Sequence, residues 1–425
     1  MMSPGTWLYI IFFLLLICGV PIAVCLGLAG ITIIITSSLG IQVLPTIVFA
    51  SIAKPSLVAI PFFILAGVIF YRIGIAERLI RLVKLLVGPI PGGLAIVTVL
   101  SALILGANTG SGPAETAALG SVLIPGLTGA GYPKPFVTAL VATSSGLAIV
   151  IPPSIGFIIY GAITGTSISK LFIAGIIPGV ILGLALIGMI FFVSFRRGYK
   201  GESFGTLREI CHALKEAIWA LLAPIIILGG IYLGIFTPTE AGAVAVLYGF
   251  FVGSVLYRNI NFPMLYKILL ESAEITAVVM IIVSLAGVFG WTNVTLGVIE
   301  KVSQFLIYST ANVPVLLFFI TFGLLVAGTV MDPVTLYFIT LPILIPVVHK
   351  FQWNPIWFGV VVTIALAIGQ VTPPVAVNLY VACKIADLSI EDVAWEAFRF
   401  AFAAFIGLLI VLYVPLLATW LPSLM

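Results

Sequence analysis

Small polar residues and prolines interrupt two apolar stretches of this sequence, in a pattern that could bind ions. The first interruption, 106–113, lies inside the apolar block 92–131, and the second, 328–333, lies inside the block 313–348. Non-helical backbone survives in hydrocarbon only where protein or a wet cavity covers it. Each block therefore predicts a re-entrant helical hairpin, whose second arm presents free N–H groups to an anion. The alternative for the first is a helix–helix contact made by small residues.

Two Pro-Pro pairs predict broken helices that could face these hairpin tips. Pro152-Pro153 and Pro373-Pro374 each remove two N–H donors and clash with the preceding turn, which leaves carbonyl groups unpaired. Transporters build ion sites near the membrane midplane in this way, although a plain kink is the alternative. Two sites dominated by backbone carbonyls are expected. The candidate Na⁺ ligands are Asn108, Thr109, Ser145, Ala148 and Ile151 for the first site, and Gly328, Thr329, Gly369 and Thr372 for the second. The candidate substrate-binding residues are Ser111, Gly112, Ser154, Asp332 and Asn378.

Few acidic residues are embedded in apolar sequence. They are Glu115, Glu240 and Asp332, with Glu274 at the edge of an apolar run. A charge at a helix centre costs roughly 2.5–3.5 kcal/mol in a membrane, so each should face a cavity or a partner. Asp332 belongs to the second hairpin tip, but Gly112 occupies its counterpart in the first, which argues against one shared carboxylate ion site. The run Thr237-Pro-Thr-Glu240 favours a helix start with Glu240 in a capping role.

Enzymatic chemistry has no support in the sequence. It contains no HExxH, GxSxG or P-loop motif, so neither an enzyme nor an ATP-hydrolysing subunit is predicted. The four cysteines show no CxxC spacing and there are two histidines, which disfavours a metal framework. No cofactor is expected other than Na⁺ as a coupling ion.

The composition places the chain in a bilayer. Of 425 residues, 62% are hydrophobic and 8% are charged, against about 25% charged in soluble proteins. A spanning helix needs roughly 20 apolar residues, and no basic segment precedes the first apolar run as in a signal peptide. The net charge of +4 requires no nucleic-acid partner. Crossings are predicted at 6–19, 21–39, 57–73, 135–165, 171–195, 216–236, 239–257, 272–290, 356–386 and 394–421.

The two halves of the chain resemble each other at a shift of about 220 residues. The run Leu65-Ala-Gly-Val recurs as Leu285-Ala-Gly-Val, and five prolines recur in the same order: Pro113, Pro125, Pro135, Pro152 and Pro153 match Pro333, Pro346, Pro355, Pro373 and Pro374. Toward the end of the repeat, the same shift matches Ser169 with Ser389. Internal repeats with paired interrupted segments are typical of transporters.

Charge asymmetry predicts the orientation of these repeats. Five crossings and one hairpin per half put 14 Lys and Arg residues on one side and four on the other, and the larger group belongs in the cytoplasm. The predicted fold is an all-α integral membrane protein of two inverted repeats, with about ten transmembrane helices and two re-entrant hairpins. The first repeat covers 1–195, a cytoplasmic linker covers 196–215 and the second repeat covers 216–425. Segment 77–86 predicts an amphipathic helix in the interface plane, or else a basic loop.

Three motifs resemble the large membrane subunits of TRAP (tripartite, binding-protein-dependent) transporters of the DctM type. They are FTPTEAGAVAVLY at 236–248, IPPSIGFIIYG at 151–161 and TPPVAVNLY at 372–380, and the likeness covers essentially the whole chain. The resemblance implies scaffold and transport domains that work as an elevator, Na⁺ coupling and a location in the bacterial inner membrane. It also implies a small four-helix membrane subunit and a periplasmic substrate-binding protein that delivers an organic acid. Within the family the sequence looks closest to sialic acid members, with C4-dicarboxylates as the other substrate class.

One departure concerns the first hairpin tip, which is often serine-rich in the family. Here it reads Asn-Thr-Gly-Ser-Gly-Pro and is followed by Glu115, which leaves the first site's side-chain ligands open but not its carbonyl ligands. The rival interpretation is an ion channel or a non-transporting membrane scaffold, because two re-entrant tips could also line a pore.

Overall fold

The computed structural model describes residues 3–199, 201, 205–310 and 312–425, except for the side chains of 107–109. Within these ranges the regular elements are all helices. The helices of the first half are α1 Pro4–Ile17, α2 Ile22–Thr36, α3 Leu44–Ile52, α4 Ala59–Arg72, α5 Ile75–Val87, α6 Gly93–Thr109, α7 Gly112–Gly129, α8 Lys134–Gly146, α9 Ile155–Thr164 and α10 Ile168–Arg197. Those of the second half are α11 Leu207–Tyr232, α12 Pro238–Phe251, α13 Phe262–Thr295, α14 Val298–Tyr308, α15 Val313–Gly328, α16 Pro333–Lys350, α17 Pro355–Gly369, α18 Val377–Ala386, α19 Ile390–Tyr413 and α20 Leu416–Thr419.

The helices α4–α10 and α13–α19 follow one another in the same order. Matching prolines occupy matching places: Pro113 and Pro333 lie in the first turns of α7 and α16, and Pro135 and Pro355 in those of α8 and α17. Proline is favoured there because the first N–H groups of a helix have no partner within it. The N-cap of α10 is Ser167, and Ser389 caps α19. The counterpart of Ser389 is therefore Ser167 and not Ser169.

Seven helices of the described ranges are long and apolar enough to cross a membrane, and shorter apolar helices accompany them. The shorter ones include α6 and α15, the first arms of the two hairpins, and α8, α9, α17 and α18, which form the broken helices. The second arm of the second hairpin, α16, is one of the seven. The prediction of an all-α membrane protein is confirmed. The helix predicted at 77–86 is α5, whose buried face consists of Ile75, Ala76, Leu79, Ile80, Leu82 and Val83.

The helices pack into two groups. In the central group, α8 contacts α7, α18 and α19, while α17 contacts α10 and α15. Its contacts include Phe136 and Phe400, with ring centroids 5.3 Å apart, and the Trp357 indole N–H, which donates to Val411 O at 2.9 Å. In the outer group, α13 lies against α2, α3 and α4, and α12 against α4 and α11. The two groups meet where α13 contacts α16 and α4 contacts α6, and the helices α5 and α14 also contact α6 and α16 respectively.

Three predicted segments have wrong boundaries, and two helices were missed. Helix α11 begins at Leu207, inside the predicted linker, because Thr206 and Glu209 form a capping box. Helix α13 extends over 262–295, well beyond the predicted crossing at 272–290. The last crossing ends at Tyr413, ahead of Pro415, and does not continue to 421. The helices α3 and α14 were not predicted, since both are short.

Candidate ion and substrate site

The first hairpin tip rests on the first Pro-Pro segment. Helix α6 ends at a left-handed residue, Gly110 (φ 59°), whose N–H donates to Gly106 O at 3.1 Å. A Cβ atom at Gly110 would lie 2.6 Å from Pro153 O, so only glycine permits this approach. One turn back, a Cβ at Gly106 would lie 2.9 Å from the Cα of Ala148. The tip and the break between α8 and α9 are therefore in direct backbone contact.

The second hairpin tip makes the corresponding contact with the second break. A Cβ at Gly369 would lie 2.6 Å from the Cα of Gly328, the same relation that joins Ala148 to Gly106 in the first half. The carbonyl of Thr329 accepts the N–H groups of Val375 at 3.0 Å and Ala376 at 3.2 Å. Each tip thus docks on the broken helix of its own half.

Of the residues predicted for the first ion site, Ala148 lies against the first tip at Gly106. Ile151 is buried, while the side chains of Asn108 and Thr109 lie outside the described part of the structure. Ser145 is fully buried, and its hydroxyl finds no hydrogen-bond partner among the described residues. A buried hydroxyl usually has a partner, so an oxygen-seeking cation would suit Ser145 Oγ.

The predicted second site consists of backbone oxygens and one side chain. The hydroxyl of Thr372 donates to Ile368 O at 2.8 Å, and that of Thr329 donates to Val326 O at 2.8 Å. A hydroxyl that donates its proton still has lone pairs to offer a cation. Oxygen-only ligand sets are those that hard cations select, and the residues of both sites fit Na⁺ in this respect.

A cavity of about 490 Å³ lies between the two tips. Residues 110–114 and 332–334 line it from the tips, Ile155, Gly156 and Val377 from the broken helices, and Glu274, Val278 and Ile282 from α13. Small-ligand sites have volumes of about 300–1,000 Å³ and are mostly apolar with a few polar groups. The predicted substrate residues Ser111, Gly112 and Asp332 line this cavity.

Two of the predicted substrate residues use their side chains in helix caps. Asp332 caps α16: its Oδ2 accepts the N–H of Thr335 at 3.0 Å and its Oδ1 accepts the Thr335 hydroxyl at 2.6 Å. Ser154 caps α9, since its Oγ donates to Ile149 O at 2.5 Å and accepts the N–H of Phe157 at 3.3 Å. Ser154 is absent from the residues that line the cavity. Asp332 lines the cavity, but both of its carboxylate oxygens already accept hydrogen bonds from Thr335.

Asn378 lies behind the first tip. It is fully buried, and neither atom of its amide has a hydrogen-bond partner within the ranges that the structure describes. A Cβ at Gly112 would lie 2.7 Å from Asn378 Nδ2, and one at Gly146 would lie 3.6 Å from it. A side chain from the second half therefore lies between the hairpin tip and α8 of the first half.

The comparison with protein families decides which class of transporter this architecture belongs to. A family model described as "Tripartite ATP-independent periplasmic transporter, DctM component" matches residues 9–417. The chain belongs to the DctM family. Relatives include the isethionate TRAP transporter permease protein DctMQ of Oleidesulfovibrio alaskensis, which is 40% identical over 97% of this chain and 65% of the relative. The 2,3-diketo-L-gulonate large permease protein YiaN of Escherichia coli is 37% identical, over 93% of this chain and 94% of its own length.

The sialic acid large permease protein SiaM of Vibrio cholerae is 35% identical over 96% of both chains. It is thus less similar than the relatives named for isethionate and diketogulonate, and the likeness to sialic acid members does not single out a substrate. The crystal structure of the Alcanivorax borkumensis YdaH transporter aligns with a TM-score of 0.61 at 16% identity, over 99% of this chain and 98% of that one. At this identity the likeness concerns the fold.

Other residues of this DctM-family site had weaker signals in the sequence. Gln370 lines the cavity, is buried, and its Nε2 has no partner in the described structure. Tyr337 also lines it, and its hydroxyl is 2.7 Å from that of Thr363. Glu274 lines the cavity as well, and its signal in the sequence is only that of an acid at the edge of an apolar run. The capping role of Glu240 is confirmed, because its Oε2 accepts the N–H of Thr237 at 2.8 Å in a capping box.

Proposed function

We propose that this DctM-family permease subunit imports an organic acid by Na⁺-coupled symport, and the candidate substrates are those named for its relatives: isethionate, 2,3-diketo-L-gulonate, C4-dicarboxylates and sialic acid. The observation that carries the proposal is the position of the 490 Å³ cavity between two hairpin tips, each docked on a broken helix. Cations bound at these two junctions would hold both tips in place, and the tips form the walls of the cavity. Binding of Na⁺ and of substrate would then favour the same arrangement, which is the thermodynamic basis of coupling.

An anion in this cavity would be stabilised by the first turns of α7 and α16. Both helices begin at the cavity, with residues 112–114 and 333–334 in its lining, so their positive ends are directed at it. The carboxylates of Asp332 and Glu274 oppose this attraction. Two bound cations would offset their charge, which gives a reason for requiring Na⁺ with an anionic substrate.

The proposed motion is that of an elevator, in which the central group of helices carries the cavity past the outer group. A second cavity of about 210 Å³, lined by Thr164, Thr166 and His349, lies on the side predicted to be periplasmic. It shares no lining residue with the central cavity. The buried rings of Tyr160 and Tyr337, whose centroids are 6.4 Å apart, lie between the two. In the proposed mechanism, this arrangement would be a state closed toward the periplasm.

The proposed partners are a small four-helix membrane subunit and a periplasmic substrate-binding protein, in the bacterial inner membrane. The family description names a tripartite periplasmic system. This chain spans 65% of the length of the DctMQ relative, which leaves room in that protein for a second membrane subunit.

Reconstitution tests the proposal. The chain is placed in liposomes with its small subunit, and candidate binding proteins are loaded with isethionate, succinate, 2,3-diketo-L-gulonate or sialic acid. We expect saturable uptake of one of these acids that requires both a Na⁺ gradient and the binding protein, and the chain alone should transport little or nothing. Robust uptake of free acid without a binding protein would refute the tripartite proposal. Ion conductance without any saturable uptake would favour the channel instead.

A further inference from the structure

The central cavity continues toward the side of the protein that is predicted to be cytoplasmic. A neighbouring cavity of about 260 Å³ lies between α4, α7 and α13, and it shares Ser111, Ala114 and Ile275 with the central one. Its other end is lined by Tyr71 and Glu271. Its lining includes the small residues Gly67, Ala114 and Ala117, and we call this passage the α4–α7–α13 groove.

An exposed ion pair stands at the outer end of this groove. The Nε and Nη2 atoms of Arg72 donate to the same carboxylate oxygen, Glu271 Oε2, at 3.0 and 2.6 Å. The side chains of Arg72 and Glu271 are 38% and 32% exposed. Arg72 also lines an open cavity of about 430 Å³ on the same side, together with Arg78, Arg81, Glu77 and Glu216.

We propose that organic anions leave the central cavity through the α4–α7–α13 groove and that Arg72 binds their carboxylate or sulfonate group at its mouth. This inference rests on the proposed function, since it describes how the imported anion departs. Arg72 would exchange Glu271 for the oxyanion of the substrate. A guanidinium group carries five N–H donors, so Arg72 has donors left for a second oxyanion before it releases the first.

The other two arginines of the open cavity are less available than Arg72. Arg78 donates to Ile73 O at 2.9 Å and to Gly74 O at 2.6 Å, and its guanidinium lies 3.7 Å from the centre of the Tyr257 ring. Arg81 is paired with Glu216 at 3.1 Å, and Glu216 lines the open cavity but not the groove, whereas Glu271, the partner of Arg72, lines the groove itself. An exposed pair such as Arg72–Glu271 is weak, and this makes an exchange of partners at the mouth feasible.

The test measures the charge selectivity of the groove with thiol reagents, and needs neither substrate nor Na⁺. Ala117→Cys, and separately Ala114→Cys, is made in a background with Cys18→Ser and Cys211→Ser, because Cys25 and Cys383 are buried. Inverted inner-membrane vesicles that contain the chain and its small subunit are treated from the cytoplasmic face. The reagents are anionic sulfonatoethyl methanethiosulfonate and cationic trimethylammonioethyl methanethiosulfonate, at low ionic strength, where charge steering is strongest.

The two members of the ion pair should shift selectivity in opposite directions. We expect Arg72→Gln to lower the anionic-to-cationic rate ratio at residue 117 at least about threefold, and Glu271→Gln to raise it by a similar factor. A purely structural role for the pair would make both variants change the ratio in the same direction. That outcome, or an unchanged ratio, would overturn the role of Arg72.

Gly126→Cys is the matched control. Gly126 is also on α7, nothing lies within 4 Å of where its Cβ would be, and it does not line the groove. The ratio of anionic to cationic modification rates at residue 126 should therefore not respond to Arg72→Gln. If the reagents modify neither residue 114 nor residue 117 from the cytoplasmic face, the route itself is refuted. These modification rates are measured without transport. A failure of the groove proposal can therefore be distinguished from a failure of Na⁺-driven uptake, which would refute the proposed function.

Discussion

The side-chain amide of Asn378 lies directly against the backbone of Gly112. These residues are 266 positions apart, one at the start of α18 and the other at the first hairpin tip. A Cβ at residue 112 would lie 2.7 Å from Asn378 Nδ2 and 3.0 Å from its Oδ1. The broken helix of the second half therefore contacts the tip of the first. A movement of the tip or of the broken helix would therefore displace the other.

A methyl group at Gly112 should disturb this contact. Gly112→Ala would bring Cβ closer to the amide than real Cβ atoms come, and Asn378 is buried with little room to withdraw. Overpacking of this kind costs about 1–3 kcal/mol. We expect Na⁺-driven uptake to fall at least about tenfold while the protein still inserts and binds its small subunit. Gly126→Ala, where nothing lies within 4 Å, is the control. Full activity in Gly112→Ala would show that the tip does not need this close approach.

The amide of Asn378 should matter for transport and not for folding. Both of its polar atoms are buried without a partner in the part of the chain that the structure describes, and replacing such a group by an apolar one of similar shape is close to neutral for stability, or favourable. Asn378→Leu should therefore keep or raise the midpoint of thermal unfolding in detergent while uptake falls at least about tenfold. A lower midpoint with normal uptake per folded molecule would mean that the amide has a structural role.

The hairpins and broken helices could be predicted from the sequence, because glycine and proline act locally. Pro152-Pro153 removes backbone donors wherever it occurs, and the glycines of 106–112 do not favour a continuous helix. The pairing of each tip with a broken helix was predicted because transporters build ion sites where such segments face each other. Gly106 with Ala148, and Gly328 with Gly369, are the contacts between tip and break in the two halves.

Contacts between the two halves could not be predicted in this way. The wall that α13 contributes to the cavity includes Val278 and Ile282, and an apolar residue on a membrane helix does not reveal whether it faces lipid or a cavity. The contact of Asn378 with Gly112 depends on how the halves pack, which no local pattern encodes. Ser154, a predicted substrate-binding residue, caps α9, which is the role that serine most often has before a helix.

The orientation in the membrane can be tested with cysteines that the protein already has. Cys18 and Cys211 are exposed, and the 14-to-4 charge asymmetry puts both on the cytoplasmic side. In intact cells, an impermeant maleimide should label neither, and in inverted vesicles it should label both. A cysteine introduced into the predicted linker, such as Arg197→Cys, would be a poorer probe because it would remove the 2.7 Å ion pair of Arg197 with Glu396. Labelling of Cys211 from outside would contradict the inverted arrangement of the repeats.

The hydroxyl of Thr372 should contribute to Na⁺ binding at the second site. Thr372→Val keeps the shape of the side chain and removes its oxygen. Thr372 follows α17, and its N–H donates at 3.1 Å to the carbonyl of Gly369, the residue that packs against Gly328. By analogy with an unpaired buried polar group, the loss of one ligand should cost on the order of 1–3 kcal/mol. The Na⁺ concentration for half-maximal uptake should therefore rise about tenfold or more, at roughly 1.4 kcal/mol per decade. Thr372→Ser, which keeps the hydroxyl, should restore most of the affinity.

Thr321 provides a control for the hydrogen bond that Thr372→Val also removes. Its hydroxyl donates to Leu317 O at 2.8 Å, as that of Thr372 donates to Ile368 O, and it is similarly buried in α15 at a distance of two turns from the tip. Thr321→Val should thus leave the Na⁺ titration unchanged. If Thr372→Val leaves it unchanged as well, the hydroxyl is not a ligand and the second site consists of carbonyls alone. Because two ions are expected to bind in a coupled manner, a Hill slope of about one for Na⁺ would argue against the pair of sites.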